Sequence, residues 1–239
     1  MKMKRWLWCP GLCGVTLLAA LLPGICQAEP YTFGFSRITN NSTVDVAGQF
    51  SVEVSPYGTD KVLFTFRNTA VAEHDANGSI HAVYFEDGSI ISPLEVVYGE
   101  SYTNKEQVEF VPLTDSEKAL PGGTLLDPDF MTTAGYMAKF DTGDGKVDVG
   151  ESLAVAFMLA TEDTSFSDVI AAINKGFSMT EADRGTTLRI GIHVGSLPPW
   201  EGNEFVESDS FILVPLPGAV LLGLFGLSAS GLGIRRMTE

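Results

Sequence analysis

Between Tyr31 and Val214 apolar residues recur at every second position, in short runs broken by turn sequences. Successive side chains of a strand point to opposite faces, so this period restricts the chain to half-buried antiparallel strands. Nine runs carry it: Tyr31 to Ile38, Val44 to Val54, Lys61 to Asn68, Ser79 to Glu86, Ile90 to Tyr98, Gln107 to Val111, Leu153 to Leu159, Leu188 to Val194 and Ser210 to Val214. In the third run Val62, Phe64 and Phe66 share one face, and in the fourth Ile80, Ala82 and Tyr84 do. Asn40-Asn41-Ser42, Ser55-Pro56-Tyr57-Gly58, Asp75-Ala76-Asn77-Gly78 and Asp87-Gly88 supply the turns. The expected fold is all-β, an antiparallel β-sandwich of jelly-roll type. One short helix is expected within it, capped by Ser165 or Ser167, running through Val169, Ile170 and Ile173 and ending at Gly176. From Pro112 to Tyr136 the chain reads as loop, and so long a connection is either functional or packed down.

Both ends depart from the alternation. Lys2, Lys4 and Arg5 precede an apolar stretch from Leu12 to Leu22, followed by Pro23, Gly24 and Cys26-Gln27-Ala28. A charged start, an apolar core of about 11 residues that is too short to span a bilayer, and small residues before the cut predict a secretory signal peptide. It occupies residues 1–28 and is cut by signal peptidase between Ala28 and Glu29. At the other end Pro217 to Ile234 is a run of 18 uncharged, mostly apolar residues. As a helix that run would be roughly 27 Å long, close to the hydrocarbon thickness of a bilayer. Arg235 and Arg236 follow at once, which predicts a transmembrane helix with its C-terminal end in the cytoplasm and the domain outside.

Residues 29–213 remain, enough for one extracellular domain with a sizeable core. This part holds ten basic and 29 acidic residues, a net charge of −19, against −15 for the full chain. A surface so acidic repels nucleic acid and favours cations or neutral partners such as polysaccharide. All three cysteines, Cys9, Cys13 and Cys26, lie in the signal peptide, so the mature chain has no disulfide, thiol nucleophile or cysteine metal site.

Immediately before the apolar run stands Val214-Pro215-Leu216-Pro217. The two prolines forbid helix and remove backbone donors, so this segment should be extended outside the membrane. The order of proline signature, apolar run and arginine pair resembles the PEP-CTERM sorting signal of exosortase substrates. Leu216 stands where that family usually has Glu, as in its VPLP variant. The resemblance makes residues 214–239 a sorting tail, with Val214 to Pro217 recognised by an exosortase-type membrane protease and Arg235-Arg236 as the stop. It implies an exported β-rich protein held transiently in the inner membrane, and the leading expectation is a non-enzymatic protein displayed at the cell surface or in an exopolysaccharide matrix. Ala119-Leu120-Pro121-Gly122-Gly123, Gly150-Glu151-Ser152-Leu153, Leu188 to Val194 and Glu207 to Phe211 are similar to extracellular regions found ahead of such tails.

Two candidate ligand sites stand beside this reading. Asp141, Asp144, Asp148 and Glu151 fall on one glycine-rich loop with Asp148 and Glu151 at the ninth and twelfth positions of a calcium-loop pattern. A tight turn feeding a strand accounts for the same letters. Trp200, held behind Pro198-Pro199, is a candidate for stacking on a sugar ring, with Tyr98, Tyr102 and Tyr136 in or beside loops. A carbohydrate-binding module is therefore the rival function, and a carboxylate-pair polysaccharide hydrolase a second. The sequence has no HExxH, GxSxG or Walker-type loop, and His193, between Ile192 and Val194, reads as a structural strand residue.

Overall fold

The structure is a computed structural model that describes residues 28–69, 78–99, 102–103, 108–139, 145–199 and 205–216. The predicted signal peptide through Gln27 and the predicted tail from Pro217 lie outside the described residues. Among those described, no helix is long and apolar enough to cross a membrane.

The strands are β1 (Tyr31–Arg37), β2 (Phe50–Pro56), β3 (Lys61–Asn68), β4 (Ser79–Asp87), β5 (Ile91–Val96), β6 (Phe110–Pro112), β7 (Ala134–Ala138), β8 (Ser152–Leu159), β9 (Leu188–Leu197) and β10 (Glu207–Pro215). Among the described residues one α-helix, α1 (Phe166–Gly176), lies between β8 and β9. The protein is mostly β and antiparallel, as its alternation requires. The strands form one ten-stranded sheet, in the order β5-β8-β3-β2-β1-β10-β9-β4-β7-β6, nearly closed into a barrel, where the sequence predicts two stacked sheets. Alternation dictates which residues face inward but not which strands pair, so it is compatible with either arrangement.

The rolling of the sheet is visible in its aromatic core. β3 and β4 are five places apart in the strand order, yet Phe64 and Phe85 meet edge-on with ring centroids 5.2 Å apart. Phe157 of β8 completes the cluster, 5.4 Å from Phe64 and 4.5 Å from Phe85. All three are fully buried. Rings from opposite walls therefore fill the barrel, and edge-to-face contact adds to the burial energy.

Helix α1 closes the barrel at one end. Ser165 is its cap: the hydroxyl accepts from the Asp168 amide, and the Asp168 carboxylate accepts from the Ser165 amide. Val169, Ile170, Ala172 and Ile173 are buried on one face, which joins the barrel core.

Two departures from the alternation have local causes. In β4 a bulge at His81 shifts the register between Ile80 and Ala82. Ile80 thus joins the barrel core while Ala82 and Tyr84 turn to the outer face, and the face the sequence assigned to all three is split. The connection from Pro112 is packed down. Its Leu113, Leu120 and Phe130 form a second buried cluster with Ala82 and Tyr84 on the outside of the sheet. β7 arises inside the stretch read as loop, because Ala134-Gly135-Tyr136-Met137-Ala138 carries no β-branched residue to announce it.

Candidate functional site

The predicted sorting segment starts inside the sheet. β10 continues through Val214 to Pro215, with Gly34↔Val214 and Phe33↔Pro215 in register on β1. Pro215 is tolerated there because it is the last residue of its strand, where its missing N–H breaks no further ladder bond. Leu216 then turns over Gly34, where an added Cβ would stand 3.0 Å from the leucine Cδ2. Val214 and Leu216 are half-buried and Pro215 is exposed. Val214 and Pro215 are extended strand, Pro217 lies outside the described residues, and the folded domain reaches two residues beyond Leu213.

The other end of β10 is fixed by a buried charge. Asp209 is fully buried. Its carboxylate pairs with Arg37 and accepts from Thr39 Oγ1 at 2.9 Å and from the amides of Asn41 and Ser42 at 2.8 and 3.2 Å. Four donors replace the water the carboxylate has lost, so the turn after β1 is tied to β10.

A second buried network pins the long connection over the sheet. Glu86 of β4 faces Arg189 of β9 in register. The Arg189 Nε and Nη2 donate to the Glu86 carboxylate at 2.9 and 2.5 Å, and Arg184 pairs with its other oxygen. Remaining guanidinium donors reach the carbonyls of Pro128 and Asp129. Arg189 also lies over the Phe130 ring, 5.3 Å from its centroid. Between this network and β10 is an open cleft of about 250 Å³, lined by Leu126, Phe177, Met179, Ile212, Val214 and Pro215 among others.

At the N-terminal side Ala28 and Glu29 are exposed and separated from β1 by Pro30, so the predicted cut lies outside the sheet. Of the calcium-loop residues, Asp141 and Asp144 lie outside the described residues. Asp148 accepts from the Ser79 hydroxyl, and Glu151 accepts from the Asp148 amide at 2.8 Å. These carboxylates close a turn that feeds β8. Among the described residues no group of three or more His, Cys, Asp or Glu is placed to hold a metal ion. Trp200, Pro217, Arg235 and Arg236 also lie outside the described residues. Of the three tyrosines named with Trp200, Tyr136 is buried in the core, and desolvation pushes its hydroxyl up to about 12. Tyr102 packs edge-on against Tyr57 at 6.2 Å, and Tyr98 is 38 % exposed. The three do not form one platform.

His193 has a neighbour the sequence did not suggest. Its Nδ1 lies 3.2 Å from the Ser210 hydroxyl, and its ring stands edge-on to His81 at 6.4 Å. Burial lowers both imidazoles, His81 to about 4, and nearby Lys146 adds to the shift at His81. A serine beside a neutral histidine is the beginning of a nucleophilic pair, but Ser210 has no exposed surface from which to reach a substrate. The Glu86–Arg189 and Arg37–Asp209 networks were equally unsuggested. Each joins strands far apart in the chain, so only the pairing reveals them.

No family model matches the chain, and the searches of curated proteins and of solved structures found no match.

Proposed function

We propose that this chain is an exported, non-enzymatic surface protein whose barrel domain is delivered through the inner membrane, held by its C-terminal tail and processed at the proline signature by an exosortase-type protease. The observation that carries this reading is the continuity of β10 with the signature. The sheet ends at Pro215, and Pro217 opens the uncharged run closed by Arg235-Arg236. A strand anchored at Asp209 and delivered straight to an apolar run is the arrangement a tethered domain requires. The acidic surface suits residence among polysaccharide, where it stays soluble and resists association with anionic surfaces.

The test is the mass of the mature protein recovered from cells that export it. Loss of residues 1–28 together with the apolar run is expected. An intact C-terminal run on the surface-displayed protein would overturn processing, and retention of residues 1–28 would overturn export by a cleaved signal. Surface display should also depend on the tail, so deletion of residues 217–239 should release the domain to the medium.

A further inference from the structure

Resting on the tethered reading above, we propose that the α1 end of the barrel is a membrane-facing surface that lies on a zwitterionic bilayer. The first ground is where the two apolar segments leave the fold. β1 and β10 are antiparallel neighbours with Phe33 opposite Pro215, so β1 begins at the same end of the barrel at which β10 stops. The points at which the predicted signal peptide and tail join the fold therefore lie at the same end, and on the reading above the uncleaved chain is tethered twice there.

The second ground is length. From Pro215 to Pro217 the chain advances two residues, which span at most about 7 Å. The polar headgroup layer on one side of a bilayer is itself about 5–7 Å deep. With the apolar run in the hydrocarbon, this end of the barrel has no slack to lift clear of the headgroups.

The third ground is the surface presented there. Tyr31 is 49 % exposed and leans on Phe166, ring centroids 6.1 Å apart, while Phe177 packs on Phe33 at 5.9 Å. Phe166 and Phe177 are only half-buried. Aromatic rings with one wet edge favour the headgroup level. Around them Glu29, Glu162, Asp163 and Asp168 are exposed. These carboxylates repel anionic lipid, which selects a zwitterionic surface.

The experiment uses the full chain with Cys9, Cys13 and Cys26 changed to serine, inserted into phosphatidylcholine vesicles that contain a headgroup nitroxide lipid. A fluorophore is attached at Ala171→Cys, on the exposed face of α1, or at Val206→Cys, 73 % exposed before the opposite end of β10. The ends of the nine-residue β10 are eight residues apart, about 27 Å, beyond the reach of a contact quencher. Most emission should be lost at Ala171 and none at Val206, and anionic lipid should weaken the quenching at Ala171. Equal quenching at both positions, or stronger quenching at Val206, would overturn the orientation. Failure of the full chain to float with the vesicles would instead overturn the tail reading itself. Asp163→Cys and Thr43→Cys repeat the comparison should either first label disturb the fold.

Discussion

Single side chains decide this fold chiefly where charge is buried. Glu86 has 1 % and Arg189 7 % of their surface exposed, so Glu86 is satisfied by Arg189, Arg184 and the Met131 amide, and Arg189 by Glu86 and the carbonyls of the covering loop. Replacing Glu86 by Ala leaves Arg189 charged in a dry site, and one-sided removal of a buried pair costs about 3–5 kcal/mol. Urea unfolding of E86A should show that loss, whereas Arg184→Ala, which removes the more exposed partner, should cost less. Swapping Glu86 and Arg189 together for apolar residues should recover part of it, since no orphaned charge remains. The imidazoles act with the same sign as a paired carboxylate, and with the opposite sign from a histidine that gains an acidic partner on folding. His81 and His193 are depressed in the folded state, His81 to about 4, so below about pH 6.5 the unfolded chain binds more protons than the folded one. Stability contributed by the neutral rings is complete above that pH and is lost as the pH falls toward 4. The urea midpoint should decline across this window, and the decline should shrink in His81→Asn. Asp168 and Asp183, held below the carboxylate range by Ser165 and Lys175 respectively, weaken the fold only at lower pH.

The strands show which parts of a sequence speak for themselves. Lys61–Asn68 is legible to the residue, because Val62, Phe64 and Phe66 recur at every second position after a proline-glycine turn, with the polar Lys61, Thr65 and Arg67 and the apolar Leu63 beside them. Helix α1 is legible for a similar reason, since serine caps, a 3.6-residue apolar period and a terminal glycine agree. β7 was not, and its middle shows why. A side chain at Gly135 would stand 2.6 Å from the Val83 carbonyl and 2.4 Å from Leu113, so the residue is chosen for the close approach of another segment rather than for strand propensity. Gly135→Ala must move backbone and should destabilise by about 2–3 kcal/mol. At Gly191 the obstacle at 2.6 Å is the end of the Leu120 side chain, which can turn aside, so Gly191→Ala should cost about 1 kcal/mol. Thermal melts of the two variants distinguish backbone from side-chain crowding. The sheet edges also carry meaning. β5 contains Pro93 and a bulge before Glu95, and β6 is three residues long and ends in Pro112. Short, bulged, proline-bearing edges oppose further strand addition, so the two open edges offer little template for a second copy.

The order in which the barrel can close follows from its first and last strands lying side by side. β10 sits between β1 and β9 in the middle of the sheet, not at its margin. Nothing in the alternation of Ser210 to Val214 announces that position, because the pairing of residue 33 with residue 215 is set by the path of the entire chain. The candidate site is legible to the same limited degree: Val214-Pro215-Leu216-Pro217 is readable as a motif, while its attachment to the sheet through Gly34 is not. The topology has a consequence for the export proposed above. A chain emerging from its N-terminus can assemble β2, β3 and β8, but β1 has only one neighbour, and Asp209 cannot neutralise Arg37, until β10 has been delivered. Closure across such sequence separation is slow, since the loop entropy is lost before the contacts form. A protein truncated after Val206 should therefore fail to fold, with far-UV signal reduced and the remaining strands open to protease. One truncated after Leu216 retains every described strand and should unfold at the same urea midpoint as the full chain in detergent. If the Leu216 truncation were as protease-sensitive as the Val206 one, the tail would be contributing to the fold itself, and β10 could not be the strand that completes it.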